Sequence, residues 1–206
     1  MLKVWGRVTS LNVQKVLWTL AEVGVSYERI DAGLQFGVVK TPEYLALNPN
    51  GLVPTIDDGG LVLWESNVIV RYLASRYAAG TLCPADPGER FRAERWMDWQ
   101  ATTITPAITP AFMGLIRKVP EFMTEAVVAE ARKKTNAALA ILEGALAGRD
   151  YVNGAAFTMG DIPVGVAVNR WYALPVERAS FPAVEAWYAR LKERPGFATH
   201  VAIPLA

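Results

Sequence analysis

The apolar positions of the first eighty residues switch between two periods. Lys3 to Gly6 reads as a short strand. Val13, Val16, Leu17, Leu20 and Ala21 fall at i, i+3, i+4, i+7 and i+8, which is one face of a helix. Gly24 stands where a C-terminal cap belongs. Tyr27 to Asp31 reads as a second strand. The stretch from Ala32 to Leu47 is mixed and admits a short helix after Pro42. Asn48-Pro49-Asn50-Gly51 is a dense turn signal. Leu52 to Ile56 and Leu61 to Trp64 flank Asp57-Asp58-Gly59-Gly60 and read as a hairpin. Ser66 to Tyr77 is again helical. A βαβ unit needs parallel strands and a hairpin needs antiparallel ones, so this order predicts a small mixed sheet with helices on its faces.

Gly80 to Gly88 holds Pro84, Pro87 and two glycines, and reads as a linker between a first domain at 1–79 and a second at 89–206. Past it every periodic segment is helical. Glu89 to about Val119 predicts one long helix or a kinked pair, disturbed at Pro106 and Pro110. Thr124 to Leu146 carries Val127, Ala131, Ala138, Leu142 and Leu146 on one side. Thr158 to Trp171 is short and strongly apolar, and Phe181 to Leu191 carries Val184, Trp187, Tyr188 and Leu191. The fold class expected is an α/β domain followed by an all-α domain.

Composition narrows the chemistry more than the fold. With 52% apolar and 20% charged residues among 206, the chain is not disordered. The net charge of +1 leaves no basic footprint for nucleic acid. One cysteine, Cys83, and one histidine, His200, permit neither an internal disulfide nor a Cys/His metal cluster, so no metal is expected. A lone thiol suits a reducing compartment, and the opening MLKVWGRVTSLN lacks a signal-peptide core, so a cytoplasmic protein is expected. Trp99 to Ile116 is uncharged, but its threonines, prolines and Gly114 suit a buried kinked helix better than a membrane span.

Three loops could carry chemistry. Arg7 to Asn12 leads into the first helix. Ser10 and Asn12 there suit simple capping, or, with the helix N-terminus, a site for phosphate, carboxylate or thiolate. Asn50 to Thr55 places Pro54 at a strand start, which suits an ordinary sheet edge, or a turn at which Val53 offers free backbone groups to a peptide-like ligand. Trp64-Glu65-Ser66-Asn67 joins a strand to a helix. There Glu65 and Ser66 are a dipole-complementing acid and a cap, or a recognition pair for an ammonium and a carboxylate.

Ser10-Leu11-Asn12, Asn48-Pro49-Asn50-Gly51-Leu52-Val53-Pro54, Glu65-Ser66 and Phe157-Thr158-Met159-Gly160-Asp161-Ile162 occur in that order. Together they resemble the glutathione transferase superfamily over essentially the whole chain. The last is a capping box, with Thr158 at Ncap, Asp161 at N3, and Phe157 and Ile162 placed as a hydrophobic staple. The resemblance implies a thioredoxin-like first domain, glutathione as cosubstrate and a homodimer. It implies a cis Val53-Pro54 turn pairing with the cysteinyl backbone, Glu65 and Ser66 holding the γ-glutamyl end, and Ser10 facing the sulfur. Asn12 matches a bacterial branch linked to disulfide reduction. Serine-type relatives carry a basic residue where this chain has Gly51 or Leu52, and an arginine where it has Asn67. Lys40 and Gln35 are the candidates to compensate.

A free thiol has a pKa near ~8.5, and the thiolate is the nucleophile. A hydroxyl donating to it contributes ~1.5–3 kcal/mol, so Ser10 suffices without a histidine base. The expected reaction is thiolate attack on a small electrophile. Its rivals are glutathione-dependent reduction of a disulfide or peroxide through Ser10 and Asn12, and a non-catalytic interaction module on the same fold. Ile104, Ile108 and Phe112, spaced i, i+4, i+8, either pack a core or line the electrophile pocket, and Trp5, Val8 and Phe36 are equally ambiguous. Cys83 reads as incidental.

Overall fold

The computed structural model describes residues 1–206. Strands β1 (Leu2–Trp5), β2 (Tyr27–Ile30), β3 (Thr55–Asp58) and β4 (Leu61–Trp64) form one sheet in the order β2-β1-β3-β4. β1 pairs with β2 in parallel, and β1–β3 and β3–β4 are antiparallel, as the mixed pattern requires. Helix α1 (Leu11–Val23) makes the parallel crossover and ends at Gly24, whose φ of 67° and N–H bond to Leu20 complete a left-handed cap. Helix α2 (Pro42–Leu47) follows Pro42, and α3 (Ser66–Tyr77) follows β4. Leu2, Val4, Val13, Val16, Leu17, Leu20, Ile56, Ile69 and Leu73 form the core between sheet and helices.

The third strand lies further along than its apolar run suggests. It starts at Thr55, because Pro54 has no N–H to give to a ladder; the Val53–Pro54 peptide is cis. The hairpin loop then tightens to Gly59 and Gly60, both at positive φ, and Asp57 and Asp58 join the strand.

Six helices complete the chain: α4 (Pro87–Trp99), α5 (Thr105–Leu115), α6 (Glu125–Leu146), α7 (Asp161–Ala173), α8 (Pro182–Lys192) and α9 (Pro195–His200). No helix is long and apolar enough to cross a membrane. The uncharged segment is interrupted before its prolines: Gln100–Ile104 widens into a π turn. Pro106 has no N–H for the carbonyl four residues back and its ring crowds that carbonyl, which favours such a widening. Pro110 is accommodated inside α5. Ile104 and Ile108 are fully buried in the helical core, which settles them as packing residues; Phe112 is 5% exposed.

Only half of the expected Thr158–Asp161 box forms: the regular helix begins at Asp161 with Gly160 at its cap position, so Thr158 stands ahead of it. Asp161 accepts from the Thr158 N–H at 2.9 Å, and Thr158 Oγ accepts from Gly160 N–H at 3.3 Å, one residue short of the usual N3 donor. Asp161 also accepts from Trp187 Nε1 at 2.9 Å and Val152 N–H at 3.0 Å. Burial pushes its pKa up to about 6, against the pull of these bonds.

The two halves meet through Trp18. A side chain at Gly165 would stand 3.1 Å from its ring and one at Gly196 2.8 Å from it, so two glycines form its slot. Glu22 accepts from Trp18 Nε1 at 2.7 Å and holds Arg194 at 2.6 Å. Helix α9, which brings Gly196 and Arg194 there, is too short for its periodicity to be read from the sequence.

Candidate active site

The three chemical loops converge at one end of the sheet. Asn12, Glu65, Ser66, Asn67 and Lys15 line a cavity of about 340 Å³ that reaches Gln100, Ala101 and Thr105 in the second half. A smaller adjoining hollow of about 50 Å³ is lined by Asn12, Leu52, Val53, Pro54, Glu65 and Ser66, with Asn48 and Asn50. Asn12, Glu65 and Ser66 belong to both.

Each position has a local cause. The side chain of Asn48 donates to the Leu52 carbonyl at 2.9 Å, and Tyr44 Oη donates to the same oxygen at 2.6 Å, so the turn before Val53 is pinned from below. The N–H and C=O of Val53 have no partner within the chain. Glu65 sits at φ 70°, ψ 106°, a region costly for a residue with a side chain. Ser66 then opens α3 with its hydroxyl in the cavity.

Ser10 occupies the cap position of α1, yet its side chain makes no capping bond. The residue is 8% exposed and lines neither hollow. Asn12, two residues on, is exposed and opens to both. The bland reading of Ser10 as a cap therefore loses its bond, and the hydroxyl is uncommitted.

Gln35 is exposed on the short 3₁₀ turn Leu34–Phe36 and lines neither cavity. Lys40 lies closer: a side chain at Gly51 would meet Lys40 Nζ at 2.9 Å, which sets the ammonium over the Asn50–Leu52 turn. Leu52 is 65% exposed at its rim. Asn67 lines the cavity but commits both ends of its amide within the chain: its Nδ2 donates to the Met97 carbonyl at 2.6 Å, and its Oδ1 accepts from Lys15 Nζ at 3.2 Å.

Lys15 is the residue that sequence reasoning missed. It lies one turn after Leu11 on the apolar helix α1, is 2% exposed, and also donates to Ser66 Oγ at 3.3 Å. Burial lowers its pKa to about 7; Glu65 raises it and Arg170 lowers it further. It has no carboxylate within ion-pair distance, whereas Arg71 at the same cavity is held by Glu94 at 3.1 Å and by Asp98. The available signal was its i, i+3 spacing from Asn12, which places both on one helix face.

Residues 1–75 match the family description "Glutathione S-transferase, N-terminal domain", and 102–195 match "Glutathione S-transferase, C-terminal domain". The chain belongs to the glutathione S-transferase family. It is 39% identical over 208 residues to glutathione S-transferase GstB of Escherichia coli, with 100% of both covered. It is 35% identical to glutathione S-transferase 3 of Zea mays, over 99% of this chain and 95% of that one. The theta-class glutathione S-transferase of Xanthomonas axonopodis pv. citri, solved with glutathione bound, is 46% identical at a TM-score of 0.94, covering 100% of this chain and 99% of that one. The chain is a glutathione S-transferase, and its α/β half and helical half are those of the glutathione transferase fold.

Proposed function

We propose that glutathione lies along the two hollows, with its cysteinyl backbone on Val53 and its γ-glutamyl end at Glu65 and Ser66. The observation that carries this reading is that Val53, Pro54, Glu65 and Ser66 border one continuous recess while Val53 keeps both backbone groups unpaired. Glu65 accepts from the ammonium. Ser66 and Lys15 bind the γ-glutamyl carboxylate, Lys15 filling the role that an arginine at Asn67 plays in serine-type relatives. Lys40 and Leu52 border the cysteinyl–glycyl end, and no contact places Gln35 beside it.

Ser10 donates its free hydroxyl to the sulfur at the N-terminus of α1, where the helix dipole adds to the preference for thiolate. The thiolate attacks an electrophilic carbon, a C–S bond forms, and the leaving group departs with its bonding pair. A second reading, glutathione-dependent disulfide or peroxide reduction, is favoured by one observation: the Asn12 amide opens to both hollows and can orient a second sulfur. Turnover of halogenated aromatics, small disulfides and organic peroxides by the purified protein separates the two. Activity on none of them, with no glutathione binding by calorimetry, overturns both.

The enzyme is further proposed to be a cytoplasmic homodimer that uses no metal. Its lone thiol, Cys83, is free and buried. Leu61, Trp64 and Val68 near the β4–α3 junction and Phe91 on α4 are all exposed apolar side chains that a second copy would cover. Sedimentation velocity tests this, and a 22.5 kDa species alone would refute it.

A further inference from the structure

Three arginines gather on the side of the molecule that carries the Ser10 loop, with no acid to balance them. Arg7 is in the loop between β1 and α1, Arg117 follows α5, and Arg170 is in α7. None of them pairs with a carboxylate. Arg170 stacks over the Phe112 ring at 4.2 Å and Arg117 over the same ring at 5.5 Å. The Nε atoms of Arg7 and Arg170 are buried and bonded to nothing. Burial, then Arg117 and Arg7, lowers the Arg170 pKa to about 10; burial and then Arg117 lowers that of Arg7.

Arg7 ties the group to the loops that carry Ser10 and Val53. The Arg7 carbonyl accepts from the Ser10 N–H at 3.2 Å. A side chain at Gly33 would stand 3.2 Å from Arg7 Nη1 and 3.5 Å from Val53 Cγ2, so the guanidinium lies beside the residue before Pro54. Arg170 is felt as far as Lys15. The ring of Phe112 gives Arg170 a cation–π surface, but no acceptor for its buried N–H.

Buried donors without acceptors and mutually repelling cations are both costly. An anion relieves both at once. We propose that Arg7, Arg117 and Arg170 bind the carboxylate of an acidic electrophile, so that the second substrate is an anion with its reactive carbon next to the Phe112 ring. This inference rests on the glutathione reading and names the substrate class within it. In the reaction, the thiolate sulfur bonds to the carbon that carries the leaving group. The bond from that carbon to the leaving group breaks, the leaving group departs with the electron pair, and the thiol proton has already gone to solvent. The carboxylate is unchanged and serves as the handle.

Calorimetry with glutathione, S-(4-carboxybenzyl)glutathione and S-(4-carbamoylbenzyl)glutathione tests this. The two conjugates share size and an uncharged thioether sulfur, so any preference belongs to the carboxylate. The wild-type enzyme is expected to bind the carboxy conjugate at least tenfold tighter than the carbamoyl one, as charge-assisted bonds require. The preference is expected to shrink with added salt. In Arg117→Gln and Arg170→Gln the ratio between the two conjugates is expected to fall severalfold. Equal binding of both by the wild type overturns the inference while leaving the glutathione reading intact. Failure to bind glutathione itself overturns that reading, and this inference with it. The wild-type comparison requires no variant to fold.

Discussion

The ammonium of Lys15 donates to the hydroxyl of Ser66 at 3.3 Å, across 51 positions of sequence and inside the molecule. That contact puts a cation with no carboxylate partner directly behind the serine proposed to bind the γ-glutamyl carboxylate. An amine lowered to about 7 by burial is only partly charged at neutral pH. A bound carboxylate raises it again, so ligand binding takes up a proton.

Lys15→Met is expected to weaken S-methylglutathione binding by about tenfold, from loss of one charged hydrogen bond of roughly 1.5–3 kcal/mol. In the wild type, calorimetry near pH 8 in buffers of different ionisation enthalpy should register proton uptake on binding, and the variant less. Stability supplies a sign check. The folded pKa lies below the unfolded value of 10.5, so the unfolded chain holds the extra proton between about pH 7 and 10.5. The wild type therefore gains stability from this group as pH rises through that window. Thermal melts should show Lys15→Met gaining more relative to wild type at pH 6 than at pH 9. An identical offset at both would mean that the amine is not buried.

Glu65→Ala and Ser66→Ala should each weaken glutathione binding by roughly an order of magnitude, since each removes a charged hydrogen bond of ~1.5–3 kcal/mol. Titration calorimetry reads this directly. Unchanged affinity in both would move the site elsewhere.

Ser10→Ala should raise the pKa of the bound thiol by roughly 1–2 units and slow conjugation ~10–100-fold below that pKa. Asn12→Ala should be mild for conjugation and severe for disulfide reduction. The measurement is a pH–rate profile for each variant on a halogenated aromatic and a small disulfide. No change in either for Ser10→Ala would make the hydroxyl a bystander.

Thr158→Ala should cost ~0.5–2 kcal/mol, the range for a lost helix cap, and leave glutathione affinity unchanged. Asp161→Ala should cost more, about 3–5 kcal/mol, because it also strands the buried N–H groups of Trp187 and Val152. Urea denaturation orders the two, and equal losses would show that the box alone holds Asp161.

Gly165→Ala should destabilise by roughly 1–3 kcal/mol through overpacking. Its new methyl would stand 2.6 Å from Leu191 Cδ1 and 3.1 Å from the Trp18 ring. A neutral effect by the same denaturation assay would mean that Trp18 has room to shift.

The element order was legible because it rests on local signals: alternation, helical spacing, turn residues and caps. The convergence of Ser66, Glu65 and Val53 on one hollow was implied only by the family resemblance of the motifs that carry them. What escaped was set by tertiary contact. Lys15 reads as one polar break in an apolar helix, and nothing near it in sequence shows that Ser66 and Asn67 lie opposite. Asn67 reads as a lost charge, while in the fold it supports Lys15. The i, i+4, i+8 spacing of Ile104, Ile108 and Phe112 describes a face, but does not say which neighbour covers it. The helical core takes all three, and two arginines also stack on the third. Strand β3 starts later than its apolar run because Leu52 to Pro54 is apolar in sequence but forms a turn, and Pro54 offers no N–H to the ladder.

The bond from Asn67 to the Met97 carbonyl makes the two halves poor candidates for recombination. A chimera joining residues 1–79 of this chain to the helical half of a relative keeps every element of the sheet and its core. It loses the oxygen that orients Asn67 unless the relative presents a carbonyl at the same place beside its own helix break. Lys15 then has no fixed acceptor at Asn67, and the carboxylate subsite degrades without a single substitution in the domain that builds it. Exchange of whole domains between such enzymes is thus constrained at a position that would otherwise pass for an idle surface asparagine.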